Sequence, residues 1–308
     1  AWATETLLRQ QFFAAFQPHS GCSIGDLSLL FENRASVEAA IQRELWWTSL
    51  PSTFVDGASH LTIDATPNSS VEGASFDTQL RARVPIVDMS IHMPFLVGTA
   101  LQLGVQFQPM NDWLTHAQLA DVDDCDGVIV CCGGWSPGLL NKEDLELRGF
   151  SGELIRCECR DARFQKGAVL LAHLQDSRRP IYMVSTHDRR SVWIGGTVFD
   201  AEFDADGRKP ATSPDEHARI RKQAGELLGD DSALGTDILE TRIGVRPYRG
   251  EVVVRHEFDN RSGVPVISNY GHGGGGVSLS WGTANEAIRV LELAPRGESV
   301  SQDLVHFD

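Results

Sequence analysis

The chain has 308 residues, 42% hydrophobic and 22% charged, the balance of a globular protein with one large or two medium domains. A net charge of −15 disfavours nucleic acid and anionic membranes as partners. No apolar run approaches the roughly 18 residues that span a bilayer.

The N-terminus has neither a Met nor a signal-peptide pattern. Leu8, Phe12 and Phe16 recur at helical spacing, which predicts a helix over 4–17 with these residues as its apolar stripe. Ser36 is the expected cap of a second helix, "SVEAAIQRELWW". "RARVPIVDM" (81–89) reads as a strand, followed by a helix that starts near Ser90–Pro94 and stops at Gly104. "GVQFQ" is a short strand by pattern, and "GVIVCC" (127–132) a buried parallel one. From residue 152 the period becomes two, in "GELIRCECR", "AVLLAHL", "PIYMVS" and "SVWIGGTVF", which predicts an antiparallel sheet. "SPDEHARIRKQAGELLG" (213–229) has Ser213 as cap, Pro214 at the first position, Glu216 three residues on and Gly229 as stop. "TDILETRIGVRP" and "EVVVRHE" return to strand. The fold class is therefore mixed α/β, with a doubly wound layer and an antiparallel sheet in two discontinuous domains.

Six cysteines form no disulfide framework in a chain of this length. Cys131–Cys132 and Cys157–Cys159 are expected to be buried thiols. No CxxC or HExxH occurs, so no metal is expected. The reading is a reducing, intracellular and cytoplasmic setting; the C-terminus "LVHFD" is not a peroxisomal tripeptide.

Three constellations carry chemistry. "GWSPG", Gly134 to Gly138, matches the G-x-S-x-G nucleophile elbow and makes a serine hydrolase an alternative. The residue after that serine must donate its N–H to an oxyanion, and here it is Pro137, which has none. A tight turn after a strand is the better reading. In "NYGHGGGGVSLSWG" (269–282), Gly271, Gly273 and Gly276 match G-x-G-x-x-G, and Gly273–Gly276 leave no side chains in the path of a flat ligand. A helix follows whose free N–H groups suit an anion or an electron-rich oxygen. A pyrophosphate cradle also needs a second strand and an acidic residue. Glu298 has roughly the right spacing, but "GESVSQDLVHF" is a poor buried strand. In "RIGVRPYRG", Arg242 and Arg246 share one strand face, whereas Arg249 lies past Pro247 and need not follow. Arg246 stands between Val245 and Pro247, and a buried guanidinium needs an anion such as a carboxylate.

These segments resemble the D-amino-acid oxidases, FAD flavoenzymes that include D-aspartate oxidase. "NYGHGGGGVSLSWGTANEA" is similar to that family's C-terminal signature, and "GVRPYRG" to its substrate-arginine segment. "PIYMVSTHDRRSVWIGGTVF" resembles its tyrosine strand with a Gly-Gly pair. "VPIVDMSIHMPFL" resembles the segment before its mid-chain helix. "GVIVCCGGW" resembles its flavin-side strand, where the family has a polar residue and a Thr at the Cys131 and Cys132 positions. The likeness is good over about 80–295. The family's opening βαβ unit, with the true dinucleotide fingerprint, is not found in this sequence. A longer chain, a separate N-terminal polypeptide, or a truncated and non-catalytic chain are the readings this leaves open.

The resemblance implies a Rossmann-like FAD layer (1–20, 100–150 and 247–308) and an antiparallel substrate domain (21–99 and 151–246). It implies oxidative deamination of D-amino acids to 2-oxo acids, ammonia and hydrogen peroxide, with oxygen as acceptor, in a homodimer. Arg246, Tyr182 and the carbonyl of Gly274 would bind substrate. Gly133, Gly134, Met110, Arg246, Gly273, Gly274, Gly275, Gly276, Val277 and Ser278 would line the flavin. No side chain would act as acid or base, the hydride leaving by positioning alone. Arg178, Arg179, Arg189 and Arg190 near Tyr182 permit an acidic substrate.

Overall fold

The computed structural model describes residues 1–43, 62–71, 74–110, 112–172, 181–203 and 213–294. Trp46–Trp47 of the expected second helix, Arg178, Arg179 and Glu298 lie outside the described residues.

In chain order the elements are α1 (Trp2–Phe16), β1 (Cys22–Phe31), α2 (Arg34–Arg43), β2 (Thr62–Val71), β3 (Ala74–Val87), α3 (Met89–Gln102) and α4 (His116–Ala120). There follow β4 (Val128–Val130), α5 (Ser136–Leu139), β5 (Arg148–Cys159), α6 (Ala162–Lys166), β6 (Ala168–Ala172), β7 (Ile181–Ser185), β8 (Ser191–Gly195) and β9 (Phe199–Ala201). The chain continues through α7 (Pro214–Leu228), β10 (Leu234–Asp259), β11 (Pro265–His272) and α8 (Gly276–Leu293). The mixed α/β class is as expected. The strands form one sheet, in the order β2-β3-β1-β6-β7-β8-β5-β10-β11-β4, with β9 against β5. Most pairs are antiparallel; β1–β6 and β11–β4 are parallel. The 26-residue β10 pairs with β5 through its first half and with β11 through its second, so one strand joins the two halves of the sheet.

Alternation along β5 decides which face is covered. Ile155, Cys157 and Cys159 share a core with Met183 and Ile194 of the neighbouring strands and Ile220, Ala224 and Leu227 of α7. Helix α7 has the expected ends: Ser213 Oγ accepts the Glu216 N–H, Pro214 opens the helix, and Gly229 closes it at φ 72°. The other face of the same strands carries Leu154, Tyr182, Gly195 and Arg246, and α7 does not cover it.

Several expectations fail locally. In α1 the buried residues are Thr6, Gln10 and Phe13, while Leu8, Phe12 and Phe16 are 42%, 46% and 68% exposed. Close crossing with α8 is the reason. At Gly282 a Cβ would collide with the backbone of Trp2, so at the crossing α1 meets α8 backbone through narrow or polar side chains, while Phe13 packs on the Trp281 ring at 5.5 Å. Thr6 Oγ1 accepts from the N–H of Trp281 and of Gly282, both at 3.1 Å, and Gln10 Nε2 donates to the Val277 carbonyl at 3.2 Å. The cap of α2 is Asn33, whose Oδ1 takes the Ser36 N–H at 2.9 Å. Residues 105–110 are irregular rather than a strand, with Val105, Phe107 and Met110 exposed. Strand β4 is parallel to β11 as expected, but it is an edge strand of three residues. The chain leaves the sheet after Val130, so Cys131 and Cys132 are exposed. Cys22, Cys157 and Cys159 are buried thiols, and burial pushes the Cys157 thiol up to about 11.

Candidate functional site

The open sheet face is organised by register. Tyr182 on β7 pairs with Gly195 on β8, Gly195 with Leu154 on β5, and Leu154 with Arg242 on β10. Two residues further along, Gly152 pairs with Gly244, and beyond it Phe150 pairs with Arg246. Residues two apart on a strand share a face, so Tyr182 and Arg246 stand on the same side. Two glycines give them room. The Tyr182 ring lies over Gly195 and the Arg246 guanidinium over Gly152, and at neither glycine does a Cβ fit.

The segment Arg246–Pro247–Tyr248 also draws both glycine loops to this place. The Arg246 Cδ lies 3.8 Å from where a Cβ would stand on Gly274. Pro247 Cγ lies 3.6 Å from that position on Gly133, and the Tyr248 ring 2.9 Å from that on Gly273. Gly133 and Gly273 have φ of 60° and 53°, a backbone region that disfavours any side chain. Helix α8 starts at Gly276, and Gly274, Gly276, Val277 and Ser278 are exposed around its N-terminus. Ser278 Oγ donates to the Gly275 carbonyl at 3.0 Å, a bond that leaves the first N–H groups of the helix free.

Charge completes the description. Arg246 Nη1 is buried and has no hydrogen-bond partner among the described residues. A buried guanidinium nitrogen without an acceptor carries a desolvation cost that an incoming anion would relieve. The other two arginines of the segment are engaged. Arg242 pairs with Glu240 at 2.8 Å and lies 4.7 Å from the centre of the Trp193 ring. Arg249 turns away to Asp144 and Glu146, at 3.3 and 2.7 Å.

Asp144 also accepts the hydroxyl of fully buried Tyr270 at 2.6 Å. Burial opposes charge on Asp144, but the Tyr270 hydroxyl and the Arg249 guanidinium outweigh it and hold the carboxyl below its usual range. Burial and the neighbouring carboxylate push the Tyr270 phenol far up. This cluster pins the chain before β5 to the strand that delivers the glycine loop. His272, the residue before the loop, sits 3.2 Å from Thr283 Oγ1 of α8, and burial holds its imidazole below the usual value.

The structure thus brings together Arg246, Tyr182, Gly133, Gly134 and the run 273–278. Met110 is 56% exposed at the end of its irregular segment. Arg189 lies over Gly167 and donates to Ser23 at 3.2 Å, away from the row that carries Arg246. Ser136 is fully buried in α5, and a nucleophile must be reached by substrate, which removes the hydrolase reading. The sequence reading missed Gly152 as the floor under Arg246 and Phe203, whose ring covers Gly134. A glycine inside a strand, which leaves room for a close approach, is the available signal for the first.

The family model described as "DAO: FAD dependent oxidoreductase" matches residues 8–289. The chain belongs to this family of FAD-dependent oxidoreductases. Among its relatives, a D-amino-acid oxidase of Rubrobacter xylanophilus is 53% identical over 218 residues, covering 68% of this chain and 58% of that protein. One of Streptomyces coelicolor is 32% identical over 215 residues, covering 69% and 60%. Human D-aspartate oxidase is 42% identical over 119 residues, 36% of this chain and 30% of that one. The chain therefore spans about three-fifths of the length of the curated D-amino-acid oxidases it matches. Glycine oxidase from Bacillus cereus has a similar fold, with a TM-score of 0.66 at 15% identity over 94% of this chain and 81% of that one.

The residues present fit the ring end of a flavin. Two glycine turns, Gly133–Gly134 and Gly273–Gly276, flank Arg246; Phe203 lies over Gly134 and Tyr248 against Gly273, so the open approach is along Gly274–Gly276, where the N-terminus of an 18-residue helix supplies positive potential.

Proposed function

We propose that this chain carries the flavin-ring and substrate halves of an enzyme that oxidatively deaminates D-amino acids to 2-oxo acids, ammonia and hydrogen peroxide. The observation that carries the proposal is Arg246 Nη1, buried between Gly152 and the glycine loop with no partner among the described residues. An α-carboxylate fits the guanidinium fork through two charge-assisted hydrogen bonds. The names of the Rubrobacter and Streptomyces relatives support the substrate class.

In this reading Arg246 binds the carboxylate, the Tyr182 hydroxyl donates a further bond to it, and the Gly274 carbonyl accepts one from the substrate amine. Three points of attachment fix the α-carbon, so only one enantiomer presents its hydrogen toward the glycine loop. Gly133, Gly134 and residues 273–278 would hold the flavin, which supplies a two-electron acceptor for that hydrogen. The free N–H groups at the start of α8 favour negative charge at this edge of the site. No side chain removes a proton from carbon: Arg246 and Tyr182 orient, and the strands beneath them, packed on their far face against α7, form the floor of the site.

The test is turnover of D-alanine and L-alanine by the FAD-saturated protein, with peroxide and pyruvate both measured. Oxidation of the D form alone, with equal yields of the two products, is expected. Oxidation of the L form, or no reaction with any D-amino acid while flavin is bound, overturns the reading.

A further inference from the structure

We propose that Cys131 and Cys132 form a vicinal dithiol site for trivalent, thiophilic arsenicals at the mouth of the turn Gly133–Trp135. Both residues are exposed and adjacent in sequence. In an extended strand neighbouring side chains point to opposite faces. The strand pairing that enforces this alternation stops at Val130, before either cysteine, and the chain turns at Cys132, with φ −82° and ψ 11°. The backbone is anchored on both sides, by the pairing of β4 with β11 and by the Trp135 N–H donating to the Cys132 carbonyl at 3.2 Å. The pair is therefore presented on a fixed turn.

The composition of the site selects its ligand. Among the described residues no group of three or more His, Cys, Asp and Glu could hold a metal ion, and a structural zinc takes four ligands. A monosubstituted trivalent arsenical asks for two sulfurs only, its third bond being to carbon. The step balances without an oxidant. Two S–As bonds form, the As=O bond breaks, and its oxygen leaves as water with the two thiol protons; arsenic stays trivalent. The remaining cysteines do not compete. Cys157 and Cys159 share a face of β5 but are 0% and 4% exposed, Cys22 is buried beside His92, and Cys125 is exposed but alone. One thiol gives a single S–As bond that excess monothiol displaces.

The binding itself does not depend on the proposed function. That an occupied site would crowd the flavin cradle at Gly133–Gly134 does rest on it.

The experiment treats the reduced 308-residue chain with phenylarsine oxide in a large excess of glutathione, then reads intact mass and maps the adduct on peptides. One phenylarsenic group per chain is expected. It bridges Cys131 and Cys132, resists glutathione, is released by 2,3-dimercaptopropanol, and is absent from Cys131→Ser and from Cys132→Ser. Both positions are exposed, so serine is expected to leave the circular dichroism spectrum unchanged. Removal by glutathione, an adduct mapped to any other cysteine, or its persistence in either serine variant overturns the proposal. Mapping on the unsubstituted chain decides the matter even if a variant does not fold. Neither readout involves flavin or turnover, so failure here leaves the proposed function standing, and the reverse holds.

Discussion

Replacing Gly152 with alanine separates binding from stability. Gly152 does not have a positive φ, so its backbone accepts alanine. The new Cβ would stand 2.5 Å from Arg246 Cζ and closer still to its nitrogens. Ordinary carbon contacts begin near 3.5 Å, so the guanidinium must retreat by about 1 Å. The retreating group is the end of a flexible side chain, and folding loses little. Removing a glycine from a strand restricts the unfolded chain and is worth about 0.5–1 kcal/mol in the opposite sense. A displacement of about 1 Å in a positioning group costs on the order of 100-fold in rate, or about 2.7 kcal/mol. Gly152→Ala should therefore lower kcat/KM for D-alanine by about two orders of magnitude while the urea midpoint stays level or rises slightly. In an Arg246→Ala background the same change should add almost nothing, because both act through one group. Activity within twofold of the unsubstituted chain would refute the argument. So would a loss of stability that parallels the loss of activity.

Tyr182→Phe should raise KM for D-alanine by a few-fold, about 0.5–1.5 kcal/mol for one hydrogen bond, in steady-state assays; a loss as large as that of an arginine variant would give the hydroxyl another role. Asp144→Ala leaves the Arg249 guanidinium and the Tyr270 hydroxyl without their shared acceptor and should cost about 3–5 kcal/mol in urea unfolding; a cost below 1 kcal/mol would show that solvent replaces the carboxylate. The folded-state value of His272 lies below the usual 6.5, so the unfolded chain binds the proton first as pH falls. The stability it contributes is complete above pH 6.5 and is lost as pH falls through the folded value. His272→Gln should flatten the pH dependence of the urea midpoint just below that pH, and an unchanged slope would place the titration elsewhere.

Much of this arrangement was legible in the sequence where a local rule has no competitor. Helix α7 has its cap, its proline and its terminal glycine in order, and these set its ends as they would in an isolated peptide. The same-face placement of Arg242 and Arg246 follows from strand period alone. Failures came where a distant partner decides. Spacing alone makes Leu8–Phe12–Phe16 the apolar stripe of α1, but its partner is backbone at Gly282, which favours Thr6 and Gln10. Apolar composition places Cys131 and Cys132 in a buried strand because it cannot tell an edge strand from a central one. "GVQFQ" has strand propensity but no paired neighbour among the described strands. For the candidate site, motifs point to Arg246, Tyr182 and the glycine loop, whereas Gly152 gains its meaning from the register of β5 against β10.

Arg246 is the group proposed to receive the substrate carboxylate, and anaerobic mixing of the FAD-saturated chain with D-alanine tests this most directly. Loss of the flavin's visible absorbance reports substrate oxidation without any contribution from oxygen. The unsubstituted chain should be reduced by D-alanine and not by L-alanine. Arg246→Ala should retain its flavin and be reduced more slowly at low substrate by about two to four orders of magnitude, the loss of a buried charge-assisted pair worth about 3–5 kcal/mol. Reduction of the Arg246→Ala protein at the unsubstituted rate would contradict the account.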